Sequence, residues 1–434
     1  MQSTARARAA RSLTVVLGAD HADTCIIAKG WPALKAHTTV IASVIVCVLI
    51  GATTTVAQPT LQLEKSWSLG DDEEDVLFGV IADVARGKDG KTYVLDQQLG
   101  VVHVVSDRGA VLQTFGGIGE GPGEFSNPRR LALFEDGGIV VLQPSPPRMS
   151  VFDGSGVYRG ELGIPGRKST STVVLGLAPI DGGVLLHEMA TDQSDDGMVQ
   201  RQTITAYPNV NGEAVHEIFG AERRFGPARI VVRERETVPF EWVANGEHIC
   251  ISKGWSFDVA IVATGGSAVA SLTGSVHKRS RSSGQREAVE SYLRRGGGTT
   301  GAELDVEDFD RDVQWLGMTE NGVVWLLSSE GARAGGEGVL GQFDVYEPGG
   351  VHLGKVALAG KGQSSRDRFV VSGGYLYVLT DFASAFASWR VGRTPGESTK
   401  EVDSSDAEQM GVLCYRLPSL ADLKSGSNPG RTKH

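Results

Sequence analysis

Two clusters of basic residues are the groups in this sequence best suited to attract an anionic ligand. One lies between residues 223 and 235, and the other lies between residues 278 and 295. On an acidic protein, a basic patch raises the local concentration of anions. The candidate ligand-binding residues taken from these clusters are Arg223, Arg224, Arg229, Arg279 and Arg281. A glycan or an acidic surface of a partner protein would suit them.

The segment that follows the second cluster offers a different interpretation of both clusters. Its acidic side chains are Glu303, Asp305, Glu307, Asp308, Asp310 and Asp312. Carboxylates this close in sequence can neutralise the basic residues. In that case both clusters are ordinary solvated surface.

Asp83 and Glu241 are the candidate residues for an alternative, metal-dependent chemistry. Each carboxylate lies in or beside a short apolar run, and converging carboxylates bind Ca²⁺ or Zn²⁺. A site of this kind would support a hydrolase, lactonase or lyase. Each is also an isolated polar residue, so a structural role is the simpler explanation, and we name no catalytic residue.

The motifs of several common enzymes are missing from the sequence. It contains no Gly-x-Ser-x-Gly elbow, phosphate loop, His-Glu-x-x-His or Cys-x-x-Cys pair. The glycine-rich stretch 116–125 lacks the Lys-Ser/Thr of a phosphate loop and precedes a strand instead of a helix. The sequence therefore favours a binding protein without a cofactor over an enzyme.

A repeat of about 46 residues organises the chain around its Asp-Gly turns. Asp89 recurs as Asp136 and Asp181, at steps of 47 and 45 residues, and Asp107 recurs as Asp153 at a step of 46. Apolar runs flank these turns, and glycine supplies the positive φ that a tight hairpin needs. A period in the forties with four short strands per unit predicts a β-propeller blade.

Six such units predict an all-β protein, a six-bladed β-propeller with four-stranded antiparallel blades over residues 58–418. A polar C-terminal tail is expected at 419–434. The sixth unit has only three strands, and we expect the isolated strand 61–68 to supply the fourth and close the ring. A short helix is predicted within residues 285–295.

A family likeness is carried by residues around the junction of the first two units. They are the glycine-rich lead ending in Phe125 and Pro128, the turn and strand 136–141, Arg148, and the turn 151–156. This pattern resembles NHL-repeat propellers and the TolB-like six-bladed propellers that bacteria secrete. The resemblance implies the fold. The family pattern has an acid at the end of the second strand of a unit; the first unit keeps it as Asp96, but the second unit has Gln143 there. No position here matches the metal-binding or catalytic residues of enzymatic members.

Propeller topology predicts the face on which a site would lie. First-to-second and third-to-fourth strand turns share one face and are tight, whereas the remaining connections share the opposite face and are long. The long insertions are 187–200, 220–236, 274–312, 328–341 and 381–410. Since loops on a rigid scaffold commonly carry function, we expect binding on the second face, with His187 close to it. Insertions without a role are the alternative.

The first 57 residues differ in composition from the rest of the chain. A basic lead precedes the uncharged apolar run 40–52, and small residues follow up to a predicted cleavage after Ala57. This order is typical of a secretory signal peptide, with an uncleaved membrane anchor as the alternative. We expect a secreted or periplasmic protein, or a propeller anchored outside the cytoplasm.

Net charge limits the kind of partner, and the cysteine content bears on disulfide formation. Residues 58–434 carry 37 Lys and Arg against 50 Asp and Glu, a net charge of −13, which argues against generic nucleic-acid binding. Cys250 and Cys414 lie in separate apolar runs and are expected to be buried without a disulfide. We expect a monomer that touches a membrane only through an uncleaved N-terminal segment.

Overall fold

The computed structural model describes residues 60–70, 76–163, 172–194, 197–207, 216–225, 231–237, 239–296, 303–391 and 410–425. All of them belong to one compact unit, Gln58–His434. The predicted signal peptide or anchor at 1–57 lies outside the described residues, and so does Arg229.

Six antiparallel sheets of four strands form the blades of a ring, which confirms the predicted all-β, six-bladed propeller. The chain enters through β1 (Thr60–Gln62) and β2 (Glu64–Leu69). Blade 1 holds β3 (Ile81–Arg86), β4 (Thr92–Asp96), β5 (Val101–Val105) and β6 (Val111–Gly116). Blade 2 holds β7 (Arg130–Leu133), β8 (Ile139–Pro144), β9 (Pro147–Phe152) and β10 (Tyr158–Leu162).

The next two blades are separated by a short additional strand. Blade 3 holds β11 (Val173–Ile180), β12 (Gly183–Ser194), β13 (Gly197–Tyr207) and β14 (His216–Phe225). β15 (Val231–Arg233) follows. Blade 4 holds β16 (Glu241–Ala244), β17 (His248–Ser252), β18 (Val259–Ala263) and β19 (Ala268–Leu272).

The last two blades complete the ring. β20 (Glu303–Asp305) comes first and pairs in parallel with β15. Blade 5 holds β21 (Val313–Met318), β22 (Val324–Ser328), β23 (Val339–Tyr346) and β24 (His352–Ala359). Blade 6 holds β25 (Arg368–Ser372), β26 (Tyr375–Leu379) and β27 (Val412–Arg416), with β2 as its fourth strand.

Short helices occupy the connections between strands. They are α1 (Glu234–Thr237), α2 (Ser283–Gly296), α3 (Ser329–Arg333), α4 (Phe382–Val391) and α5 (Leu420–Ser425). The helix predicted within 285–295 is confirmed by α2. α1 to α4 lie in second-to-third strand or blade-to-blade connections, which share one face of a propeller. We call this side the loop face and the opposite side the turn face. α5 lies in the segment expected as a polar tail, where Leu420 and Leu423 pack against the core.

The Asp-Gly turns form by the chemistry that their residue types predict. Gly90 and Gly137 both have φ of 83°, a conformation that residues with a Cβ rarely adopt. The Asp136 carboxylate accepts a hydrogen bond from the Gly138 backbone N–H at 2.9 Å, and Asp89 accepts one from the Lys91 N–H at 3.1 Å. These local bonds set the hairpins of the first two blades.

The strand expected at 61–68 is divided between two blades. β2 pairs antiparallel with β27 of blade 6, whereas β1 pairs in parallel with β24, the outer strand of blade 5. The division falls at Leu63, which is buried and whose N–H donates to the Ala359 carbonyl at 3.0 Å. One short segment therefore joins the two blades.

Blade 3 differs from the prediction of loops at 187–200 and 220–236. β12 and β13 pair without interruption from Val184 opposite Tyr207 to Ser194 opposite Gly197. This length exceeds that of the other blade strands, so the hairpin extends past the blade as a ribbon, to which β14 adds a third strand. The loop prediction was wrong here because backbone pairing continues through a polar sequence that lacks alternating apolar residues.

The glycine stretch at 116–125 is a shaped connection between blades 1 and 2. A Cβ at Gly116 would lie 2.7 Å from the Phe125 ring and 2.9 Å from the Gly100 carbonyl, and Gly116 has φ of 98°. Phe125 is buried against Phe152 at 5.7 Å between ring centroids. Close packing of the connection against the blades therefore requires glycine at position 116.

The hydrophobic core lies mainly between adjacent blades. One cluster joins Tyr93 and Leu95 of blade 1 to Leu131 and Ile139 of blade 2, and similar clusters continue around the ring. The two cysteines beyond the N-terminal segment, Cys250 and Cys414, are buried and free, as predicted. Burial raises the pKa of each thiol to about 12, so they behave as small apolar residues.

We expect Trp67→Ala to lower the free energy of unfolding by about 3–5 kcal/mol, because it removes a large aromatic side chain from the ring closure. Trp67 lies on β2, is 5% exposed, and packs 6.0 Å from the Tyr377 ring. Urea unfolding of purified residues 58–434 measures this. Leu112→Ala on the exposed outer strand of blade 1 is the control and should change stability by less than about 0.5 kcal/mol. Equal stabilities of the two variants would contradict a closing role for β2.

Candidate functional site

Arg281, a candidate ligand-binding residue, forms the centre of a buried ion-pair network on the loop face. Its guanidinium binds both oxygens of Glu234 at 2.7 and 2.9 Å and one oxygen of Asp310 at 2.8 Å. It also donates to the Glu307 carbonyl at 3.1 Å, and its side chain is only 6% exposed. These contacts connect α1 to the segments on either side of α2.

The network holds Arg281 in its charged form. Burial by itself would lower the pKa of Arg281, but the hydrogen bonds and charges of Glu234 and Asp310 outweigh it and raise the pKa. Both carboxylates already occupy the guanidinium. Arg281 therefore positions the connections and has no donor edge left for an external anion.

The acidic segment neutralises much of the basic clusters, as the alternative interpretation proposed. The ion pairs are Arg235 with Glu307, Arg286 with Asp308, Lys278 with Asp312 at 3.1 Å, and Arg233 with Asp305 at 3.6 Å. Arg224 is also paired, with Glu222 at 2.6 Å, and its side chain is 77% exposed. Arg279 is exposed. Of the candidate arginines that the structure describes, Arg224 and Arg281 are thus already paired with carboxylates.

Arg223 is the candidate arginine that lines a cleft. The cleft is open, has a volume of about 130 Å³, and lies between the blade 3 ribbon and α1. Its polar lining consists of Gln200, Gln202, Glu222, Arg223, Arg235 and Glu236. Gln200 and Arg223 are opposite each other on β13 and β14, so the ribbon that the sequence did not predict forms one wall.

The Arg223 guanidinium is fixed by its surroundings but not saturated. Its Nε lies 3.1 Å from a Glu236 oxygen, and its plane lies 4.1 Å from the centre of the Phe225 ring. Burial lowers the pKa of Arg223, and Glu236 opposes the shift. Among the described residues, the buried Nη2 has no hydrogen-bond partner. Buried donors are normally paired, so this group has bonding capacity for a ligand.

His187 lies behind the cleft wall and is neutral at physiological pH. The Trp242 indole donates to Nδ1 at 3.2 Å, so Nε2 carries the proton and donates to the Gln202 amide oxygen at 3.1 Å. Burial lowers the pKa of His187 to about 4, with a further contribution from the charge of Arg130, while Gln202 opposes the shift. The ring therefore orients Gln202, a residue of the cleft, and is not itself exposed to a ligand there.

The alternative metal ligands, Asp83 and Glu241, belong to separate polar contacts near the central channel. One Asp83 oxygen accepts from the Leu131 N–H at 3.1 Å, and the other lies 3.9 Å from Arg368. Glu241 pairs with Arg311 at 2.6 Å. The sequence reasoning missed these arginines. The signal in the sequence was an arginine at the first position of an inner strand, as Arg368 is, or shortly before it, as Arg311 is.

Asp83 and Glu241 do not form a site for a divalent cation. Within the part of the chain that the structure describes, no group of three or more His, Cys, Asp or Glu is arranged to hold a metal ion. Asp83 and Glu241 each face an arginine, whose positive charge disfavours a nearby cation. The metal-dependent alternative thus has no assembled ligand set in these residues.

No helix within the described ranges is long and apolar enough to cross a membrane.

No protein-family model and no curated protein sequence matches the chain. Solved structures that resemble it are β-propeller proteins. A Bacteroides fragilis protein assigned as exported is 12% identical over 82% of this chain and 96% of its own, with a TM-score of 0.44. The calcium-binding protein regucalcin from Agrobacterium tumefaciens is 10% identical over 83% and 97%, with a TM-score of 0.37.

A gluconolactonase from Xanthomonas campestris is another similar structure. It is 11% identical over 80% of this chain and 88% of its own, with a TM-score of 0.39. Identities this low concern the fold alone. What these proteins bind or transform is not carried over to this chain.

We expect Arg281→Gln to lower the free energy of unfolding by about 3–5 kcal/mol, because it leaves Glu234 and Asp310 close together without their shared cation. Urea unfolding measures the difference. Arg279→Gln, two residues away and exposed, removes the same charge and should change stability by less than about 0.5 kcal/mol. Similar losses for both variants would show that net charge, and not the buried network, determines stability.

We expect His187 to make the protein less stable as the pH falls from about 6.5 to 4. The unfolded histidine takes up a proton near its ordinary pKa of 6.5, whereas the folded one does so only near 4. Relative to His187→Gln, which retains a donor and an acceptor, the wild type should lose about 2–3 kcal/mol between pH 7 and 4.5. Urea unfolding at the two pH values measures this, and parallel losses in the two proteins would contradict the assignment.

Proposed function

We propose that this chain is an extracytoplasmic binding protein of the NHL-repeat and TolB-like propeller type that recognises a glycan on its loop face. The binding site is the cleft between the blade 3 ribbon and α1. The predicted signal segment at 1–57 supports a location outside the cytoplasm. The observation that carries the proposal is the buried Nη2 of Arg223 at the cleft, which has no hydrogen-bond partner among the described residues.

The polar groups around the cleft match the chemistry of sugar hydroxyls. A hydroxyl group both donates and accepts hydrogen bonds, so it is best matched by a mixed set of donors and acceptors. Gln200 and Gln202 supply amides, Glu236 supplies acceptors, and Arg223 and Arg235 supply donors. The mixture is close to neutral, so it suits hydroxyls better than a strongly charged group.

The size of the cleft indicates how such a ligand would bind. Pockets that enclose drug-sized molecules measure about 300–1,000 Å³, and this cleft is smaller, at about 130 Å³, and open. It can receive one unit of a larger molecule while the rest remains on the surface. An extended glycan has this form.

The groups beside the cleft favour binding over catalysis. His187 is neutral and hydrogen-bonded at both ring nitrogens, and Glu236 is paired with Arg223. General acid–base catalysis needs a group that exchanges a proton near the working pH. His187 is not in that condition, because its pKa is about 4.

The test is a glycan array probed with purified residues 58–434, followed by titration of the strongest glycan bound. We expect a defined subset of glycans to bind and Arg223→Gln to weaken that binding by about tenfold or more, because a hydrogen bond from a charged donor contributes about 1.5–3 kcal/mol. Arg108→Gln is the matched control. Arg108 is an exposed arginine in the turn between β5 and β6 and does not line the cleft, so its variant should bind like the wild type.

Two outcomes would reject the proposal. One is an array on which no glycan binds above background while the protein is folded, as judged by its thermal transition. The other is an Arg223→Gln protein that binds the glycan as tightly as the wild type does.

A further inference from the structure

A second group of arginines lies at the loop-face mouth of the central channel. Arg130 is the first residue of β7, the inner strand of blade 2, and Arg368 is the first residue of β25, the inner strand of blade 6. Blade 1 lies between these two blades. The Arg368 guanidinium crosses to it and donates to the Ala82 carbonyl at 2.6 Å.

Arg130 of blade 2 and Arg368 of blade 6 have one carboxylate, Asp83, near both of them. One oxygen of Asp83 accepts from the N–H of Leu131, which follows Arg130, and the other lies 3.9 Å from Arg368. Among the described residues, no carboxylate lies within 4.0 Å of Arg130. Asp83 therefore offsets only part of the charge of these two arginines.

Aromatic rings of α4 support the arginines from one side. Arg368 lies 5.3 Å from the centre of the Phe382 ring, and Arg129 lies 5.3 Å from that of Phe386. The N–H donors of a guanidinium point outward in its plane, so an aromatic ring on its face does not occupy them. The Phe382 ring thus orients Arg368 without occupying its hydrogen-bonding edges.

The arginines influence one another electrostatically. Burial and the charges of Arg130 and Arg129 together lower the pKa of Arg368 to about 10, while Asp83 opposes the shift. The side chain is 27% exposed, so it is largely desolvated but still partly open to solvent. Cations held together in this way are stabilised by a bound anion.

We propose that the channel mouth is an oxyanion site in which Arg130 and Arg368 bind a carboxylate or phosphate group. Both anions present planar or tetrahedral oxygens that match the guanidinium fork. This site is separate from the cleft, which holds a near-neutral mixture of donors and acceptors, and it does not depend on the glycan proposal.

The experiment is isothermal titration calorimetry of residues 58–434 at low ionic strength, where charged contacts are least screened. One arm uses inorganic phosphate, and the other uses glucuronate, with glucose as its uncharged counterpart. We expect 1:1 binding of at least one anion and none of glucose. The arm with the tighter binding identifies phosphate or carboxylate as the group recognised.

Variants locate the site. We expect Arg130→Gln to weaken anion binding by about tenfold or more, and Arg368→Lys, which keeps the charge but loses the fork, to weaken it by several-fold. Arg108→Gln is the matched control, since Arg108 is an exposed arginine in a tight turn on the turn face. Its variant should bind within about twofold of the wild type. The thermal transition of each variant reports its folding, and Arg368→Lys decides the matter if Arg130→Gln is unfolded.

Four results would overturn the proposal. The first is that neither anion binds the wild type. The second is that Arg130→Gln binds as tightly as the wild type, and the third is that Arg108→Gln loses as much affinity as Arg130→Gln does. A loss confined to Arg223→Gln would assign the anion to the cleft and would also overturn it.

Discussion

The pairing of β2 with β27 is the contact on which the ring depends. Without it, β27 would expose an unpaired edge, and blade 6 would have only three strands. Trp67 of β2 reaches further, because a Cβ on Gly109 in blade 1 would lie 2.9 Å from the Trp67 Cβ. β1 meanwhile pairs with blade 5. The N-terminal segment of the propeller therefore contacts three consecutive blades.

A closed ring gives its two faces different roles. The turn face is formed by short hairpins whose Asp-Gly bonds are local, and these leave little freedom for a binding surface. The loop face carries α1 to α4 and the blade 3 ribbon, which are held by ion pairs as well as by apolar packing. Breaking a buried ion pair is costly because it leaves an uncompensated charge. The network around Arg281 accordingly fixes the position of α1, which forms one side of the cleft.

His187 interacts with one residue of each proposed site. Its Nε2 orients Gln202 at the cleft, while the charge of Arg130 at the channel contributes to lowering its pKa. The two sites differ in chemistry, since one mixes amides, carboxylate and guanidinium and the other concentrates arginines. A sugar that carries an acidic group contains both kinds of recognition element. Because His187 is neutral, it adds no positive charge near the cleft. A charged His187 would add to the field of Arg130 and make the two sites more alike in charge.

The repeated turns and apolar runs of the sequence predicted the number of blades and the position of most strands. Turns such as those at Asp89, Asp136 and Asp181 can be recognised because a hairpin and the apolar runs beside it are local features of a few residues. The division of the closing segment at Leu63 and the extension of β12 past His187 were not predictable in this way. Both depend on backbone hydrogen bonds, which leave no periodic signal in the side chains.

Which charged residues are available to a ligand depends on the tertiary structure. Arg223 and Arg281 belong to clusters that look alike in sequence. Arg223 lines a cleft and has a buried nitrogen without a partner among the described residues, whereas Arg281 binds Glu234, 47 residues away. Arg368 reaches Ala82 across 286 residues. A charged side chain is available to a ligand only when its protein partners do not already satisfy it. Those partners are brought together by ring closure, which sequence spacing does not report.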